Sequence, residues 1–237
     1  MNGRTAGARP ANGDAGGGVE RPSFFADFAE ELEARTRIQD ALYRHSRGID
    51  RDDHHGARAS AYHPDATVDS GFGPQPVANL LAARRRQHEH TRHAMHSVTN
   101  VLIEFVSARV AFVESHVTAV EWEGHGYDFA SRGIAGPGRM GARIVSWCRY
   151  ADVFEARAGA WRILERTVIF GDTAWWPLDA APVLPPDFLV QEHGSADPMY
   201  ARRARAGALA EEKAPGPRTA ERCVRLDRNN AGGDDND

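Results

Sequence analysis

Two cysteines in 237 residues are too few for a disulfide framework. Cys148 stands in a strand-like run and Cys223 in a polar tail, so a structural disulfide is not expected. No apolar run reaches the length needed to cross a bilayer, and residues 1–22 lack the apolar segment of a secretory signal. The expected location is therefore the cytoplasm, with no membrane contact. A large charge of one sign is missing as well. The net charge is −4 with acids and bases interspersed, which argues against a nucleic-acid partner. The Arg84-Arg85-Arg86 cluster reads as a solvated helix face. There is no phosphate loop, dinucleotide fingerprint, HExxH pattern or cysteine pair, so neither a cofactor nor a metal is expected. Histidines are plentiful by contrast. His54-His55 and the set His88, His90, His93 and His96 raise the question of zinc or copper, but a helix-to-strand break near Thr91 scatters their directions.

Apolar residues are scarce at both ends of the chain. Residues 1–22 are mostly Gly, Ala, Arg, Asn and Pro, and residues from about 203 to 237 close on Asn, Gly and Asp. Such stretches bury too little to offset the entropy of ordering, so both are expected to be disordered tails (1–22 and, for the most part, 201–237) around one domain over 23–200. A short helix from Ala201 to Ala210 is compatible with the pattern.

Within the domain, helical periodicity comes first. Ile38, Leu42, His45 and Ile49 recur on one face of a helix predicted from Phe24 to Asp50. A short helix over Asp53 to Tyr62 follows, with Asp52 or Asp53 as its cap, then a brief strand from Ala66 to Asp69 and a third helix from Val77 to His90. The remainder is β. His96–Phe105, Val110–Glu121, Arg143–Glu155 and Trp161–Phe170 are rich in Val, Ile, Phe, Tyr and Trp, and the last two are joined through Ala156–Ala160, a hairpin-length link containing Gly159. A Gly/Pro-rich loop over 133–141 separates the middle pair. Helices followed by an antiparallel meander predict an α+β fold, a cone-shaped curved antiparallel sheet with helices packed over its concave face. The mouth of such a cone is a natural small-molecule pocket.

Chemistry concentrates at Asp50, at the end of the first helix, and His96, at the entry of the first long strand. Histidine moves protons near neutral pH and a carboxylate commonly orients it. Simple alternation along the strand puts His96, Asn100 and Glu104 on one face and Val101, Ile103 and Phe105 on the other. The bland alternatives are a strand-end histidine satisfied by backbone and a solvated Asp50-Arg51-Asp52-Asp53 run. Arg166, on an otherwise apolar strand face, must find an anion, a carboxylate or a substrate oxygen; an ion pair with Glu155 or Asp152 is the structural alternative. Tyr150 reads as a pocket phenol or a core aromatic, and His45 as a satisfied core histidine or a second proton donor.

Several segments resemble the SnoaL-like branch of the nuclear transport factor 2-like superfamily. They are Arg47-Gly48-Ile49-Asp50-Arg51-Asp52, Tyr62-His63-Pro64-Asp65-Ala66, Met95-His96-Ser97-Val98-Thr99-Asn100, the stretch from Arg149 to Glu155 running into Gly159-Ala160-Trp161-Arg162-Ile163, and Asp197-Pro198-Met199-Tyr200. The resemblance covers about residues 30–200 and implies a nuclear transport factor 2-like, or cystatin-like, roll. Enzymes of this group include scytalone dehydratase, bile-acid 7α-dehydratase and hexachlorocyclohexane dehydrochlorinase. By resemblance to the dehydrochlorinase, the catalytic acid falls on Asp50, the histidine on His96 and the strand arginine on Arg166. His45 stands where that enzyme has a lysine and where many SnoaL-like proteins have a tyrosine.

The implied function is a cofactor-free lyase or isomerase acting on an apolar cyclic, polyketide-like or steroid-like molecule. In it His96 is the base, Asp50 orients it, and Arg166 with Tyr150 or His45 stabilises the departing oxygen or enolate. Leu42, Val98, Leu102, Trp147 and Phe170 are the expected pocket lining, and a homodimer or homotrimer the expected assembly. The competing class is a non-catalytic ligand-binding or assembly module, such as a partner subunit of a larger oxygenase.

Overall fold

A computed structural model of the chain describes residues 24–127, 129–130, 141–178 and 185–212, without the side chains of 84–88. The expected tails at 1–22 and beyond 212, most of the Gly/Pro-rich loop, Cys223 and the side chains of Arg84, Arg85, Arg86 and His88 lie outside the described residues.

Helix α1 runs Phe28–Asp50. It starts later than the apolar periodicity suggests because Asp27 caps it, accepting from the Glu30 amide at 2.9 Å, while the Glu30 carboxylate reaches back to the Ala26 amide at 2.7 Å. Its buried stripe, from Ala34 through Ile38, Ala41 and Leu42 to His45 and Ile49, faces the sheet. Asp53, not Asp52, caps the following turn His54–Arg58, accepting from the amides of Gly56 and Ala57 at 2.9 and 3.0 Å. That turn packs directly on α1 because Gly48 has no side chain; a Cβ there would lie 2.4 Å from the Arg58 Cβ and backbone nitrogen. A short 3-10 turn, Ala59–Ala61, leads into strand β1, Tyr62–Asp69, longer than the predicted strand because His63 and Pro64 lie within it.

The sheet order is β2-β1-β6-β5-β4-β3, with β2 Pro74–Pro76, β3 Thr91–Ser107, β4 Val110–Glu123, β5 Ala142–Arg157 and β6 Ala160–Pro177. Helix α2 covers Val77–Gln87. Strands β3 to β6 form the expected antiparallel meander, but β1 runs parallel to β6, so the sheet is mixed. A strand that enters from a helical segment rather than a hairpin is free to take this direction. The β5–β6 link tightens to two residues, Ala158 and Gly159, both with positive φ (50° and 77°), as a hairpin turn matched to sheet twist requires.

Register shifts decide what points inward. On β3 the register shifts between Thr99 and Leu102, where Asn100 takes φ 49°. On β6 it shifts opposite Val153 and Phe154 and again opposite Trp147 and Cys148. Each bulge exchanges the inner and outer faces beyond it. His96 and Val98 therefore share the inner face with Ile103 and Phe105, not with Asn100 and Glu104 as unbroken alternation implies. The core lies between α1, α2 and this inner face. Helix α3, Pro198–Glu212, spans the boundary expected near residue 200 and buries none of its residues.

Candidate active site

The end of α1 delivers Asp50 to the start of β3. The His96 ring Nδ1 lies 2.7 Å from Asp50 Oδ1, and the His96 backbone amide donates to Asp50 Oδ2 at 3.1 Å. One carboxylate thus binds both ring and backbone of the same histidine, with side-chain exposures of 7% for His96 and 13% for Asp50. With Nδ1 engaged as donor, Nε2 carries the lone pair that can accept a proton. The segment after β6 closes the outer side of this helix end. His193 Nε2 lies 3.2 Å from the Ile49 carbonyl, and Asp197 pairs with Arg51 at 3.3 Å. An imidazolium formed on His96 sits beside a helix C-terminus, whose dipole favours a cation.

His96 lines a cavity that opens to solvent. Ile49, Val68, Leu80, Val168 and Phe170 supply apolar wall, and His45, Arg58, Tyr62, Glu121, Tyr150 and Arg166 supply polar groups. A shallower cleft on the other side of the dyad is lined by Asp50, His96 and Val98.

Of the expected pocket residues, Phe170 lines the cavity beside His96 and Val98 the outer cleft. The other three correct the sequence reading. Leu42 is fully buried in the helix–sheet core. Leu102 and Trp147, 54% and 42% exposed, lie on the outer face, Leu102 because the Asn100 bulge turns it out and Trp147 because it alternates with inward Ser146 and Cys148.

Arg166 is buried and bound bidentately by Asp152, Nε to Oδ1 at 2.8 Å and Nη2 to Oδ2 at 2.6 Å, with Nη1 3.3 Å from the Tyr62 hydroxyl. Of the two expected partners Asp152 is the real one; Glu155 instead bonds Arg157. Burial works against the charge on Arg166, but Asp152 and the neighbouring phenols outweigh it and hold the guanidinium charged. Burial pushes the Asp152 carboxyl up against the pull of Arg166. The ring of Tyr150 faces this cation, 3.8 Å from guanidinium carbon to ring centroid, and burial drives its pKa well above an ordinary phenol's. His45 Nδ1 lies 3.1 Å from the Tyr62 hydroxyl. Burial first, then the charges of Arg166 and Arg58, lower its pKa well below the usual histidine value, so the ring is neutral at neutral pH.

Tyr62, Arg58 and Glu121 also line the cavity, and sequence reading did not single them out. Tyr62 stands in the family-like segment Tyr62-His63-Pro64-Asp65-Ala66; Arg58, in an Ala-rich turn, carries no signal at all. Among the described residues no three His, Cys, Asp or Glu side chains are grouped to hold a metal ion, and no helix is long and apolar enough to cross a membrane.

The SnoaL-like domain family matches residues 30–167, more than half of the chain, and the protein belongs to that family. No curated protein matches it. Among solved structures, a type 2 hexachlorocyclohexane dehydrochlorinase is 20% identical with a TM-score of 0.52, covering 68% of this chain and 100% of that one. The type 3 enzyme of Novosphingobium barchaimii LL02 gives the same identity and coverages with a TM-score of 0.51. A protein provisionally assigned as a scytalone dehydratase from Novosphingobium aromaticivorans DSM 12444 is 17% identical, TM-score 0.50, over 72% of this chain and 97% of that one. At these identities the likeness is one of fold.

Proposed function

We propose that the protein is a cofactor-free lyase or isomerase acting on an apolar cyclic small molecule, with His96 as general base and Asp50 as its orienting partner. The observation that carries this reading is the Asp50–His96 pair at 2.7 Å on the wall of a mixed polar and apolar cavity. A pure binding module needs no carboxylate tied to both the ring and the backbone of one cavity histidine. His96 Nε2 takes a proton from a carbon beside a carbonyl or leaving group, and Asp50 stabilises the imidazolium and holds the ring tautomer. The electron pair then expels the leaving group or is reprotonated at another carbon. Tyr150, protonated throughout, and neutral His45 are the candidate donors to the oxygen. Arg166, already held by Asp152, acts by fixing and polarising Tyr150.

The test is elimination or isomerisation measured on a panel of β-hydroxy ketones, halogenated rings and hydroxylated steroids, followed by the new conjugated chromophore. His96→Gln keeps size and hydrogen bonding but removes the base, and should lower turnover by about a hundredfold or more with folding unchanged. Asp50→Asn should cost several orders of magnitude, and the double variant little more than either single one. A His96→Gln protein retaining more than about a tenth of the wild-type rate excludes the dyad as the base.

A further inference from the structure

Arg58 is the one buried cation of the cavity that the mechanism above leaves unused. It is 4% exposed and lines the same cavity as His96. Its placement is built from several independent features. The missing side chain of Gly48 lets the Arg58 backbone lie against α1. The Arg58 amide donates to the Asp53 carbonyl at 3.0 Å, closing the turn that Asp53 also caps. The guanidinium Nη1 donates to His54 Nδ1 at 3.1 Å, and His54 Nε2 lies 3.2 Å from Asp52 Oδ1. These contacts fit one neutral tautomer of His54, donating to Asp52 and accepting from Arg58. Asp52 holds its place at the price of a left-handed backbone, φ 52°. A line of positioning residues thus runs from the partly exposed Asp52 through His54 to a cation on the cavity wall.

We propose that Arg58 is the oxyanion-binding residue of this cavity and that the substrate is a neutral, enolisable carbonyl compound. The inference rests on the base role given to His96 above. The C–H bond beside the carbonyl breaks, its proton goes to His96 Nε2, its electron pair forms the C=C bond, and the carbonyl π pair moves onto oxygen, where Arg58 donates to it. The enolate then collapses, either by expelling a β-leaving group or by taking the proton back at a conjugated carbon. The buried charges support a neutral ground state. Two guanidiniums, Arg58 and Arg166, stand against three carboxylates, Glu121 on the wall, Asp152 behind Arg166 and Asp50 behind His96. A permanent carboxylate or phosphate would add to that excess of negative charge, whereas an oxygen that becomes anionic only on proton loss to His96 meets a cation already in place.

Phenolates mimic enolates, so the test is binding of 4-nitrophenol against its non-ionising analogue nitrobenzene to the full-length protein, read by the phenolate absorbance and by calorimetry. Wild-type protein should bind the phenolate at least about tenfold more tightly than nitrobenzene, the worth of one charge-assisted hydrogen bond. Arg58→Met should abolish that preference, and Arg58→Lys should restore part of it. Asp52→Asn, a change at the exposed end of the line, should weaken it a few-fold without disturbing folding, which keeps the test decisive if Arg58→Met does not fold. His96→Gln should retain the preference. A wild-type protein that does not favour the phenolate overturns the inference, as does an unchanged preference in Arg58→Met or, if that variant does not fold, in Asp52→Asn. Loss of the preference in Tyr150→Phe alone moves the oxyanion site to Tyr150 and overturns it too. If Arg58 variants lose the preference while His96→Gln keeps full turnover, the oxyanion site stands and the dyad reading falls; the reverse pattern separates them the other way.

Discussion

His45 shows what burial does to a single titratable group. In the fold it is kept neutral by desolvation and by the nearby guanidiniums, whereas an unperturbed histidine titrates near 6.5. Below that pH the unfolded chain binds a proton that the native state refuses, so stability is full above 6.5 and falls as the pH drops, by up to about 1.4 kcal/mol per unit. The free energy of urea unfolding should therefore decline more steeply from pH 6.5 to about pH 5 in the wild type than in His45→Gln. Parallel profiles would show that His45 takes up a proton in the native state. Asp152 illustrates the complementary case of a buried charge with one dominant partner. Asp152→Ala strands the Arg166 guanidinium, and the expected loss is about 3–5 kcal/mol in chemical denaturation. A change below about 1 kcal/mol would mean that the guanidinium finds another anion or water.

Among the elements, the junction of α1 with the His54–Arg58 turn is the most constrained. Gly48→Ala places a methyl group 2.4 Å from the Arg58 Cβ and backbone nitrogen, so the turn must move. The cost should be about 1–3 kcal/mol in unfolding free energy. The same shift should disturb the cavity wall, so phenolate binding should weaken along with stability; an unperturbed Gly48→Ala protein would show that the turn yields freely. The bulges on β3 and β6 are the other element-scale devices. Without the shift at Asn100, His96 and Ile103 would lie on opposite faces, and either the dyad or the core would be lost.

For the whole molecule, the outer face of the sheet is the unfinished part. Leu102, Phe112, Trp147 and Ile169 are all exposed there, 54%, 37%, 42% and 39%, on neighbouring strands. We propose that this apolar area pairs with a second copy of the chain. Light scattering of the purified protein should give a dimer or trimer mass, and Phe112→Asp with Trp147→Asp should reduce it towards the monomer. A wild-type monomer at micromolar concentration would remove this expectation.

Much of this protein is written in local pattern. The stripe of α1, the four long β-runs, the Ala158-Gly159 turn and the order of helices before strands follow from periodicity and turn chemistry, which depend on near neighbours alone. Segment resemblance singled out Asp50 and His96, and the structure brings them together across 46 residues of sequence. What the chain did not disclose depends on register and on contacts between distant segments. A one-residue bulge is invisible to alternation, so the pattern alone points Leu102 to the pocket although it faces outward, and groups Asn100 with His96. The parallel β1–β6 pairing, the choice of Asp152 as partner of Arg166, and the arrival of Arg58 at the cavity through the space left by Gly48 were decided only when the chain folded. Each turns on which side chain meets which across the sheet, a long-range geometric fact that no single segment carries.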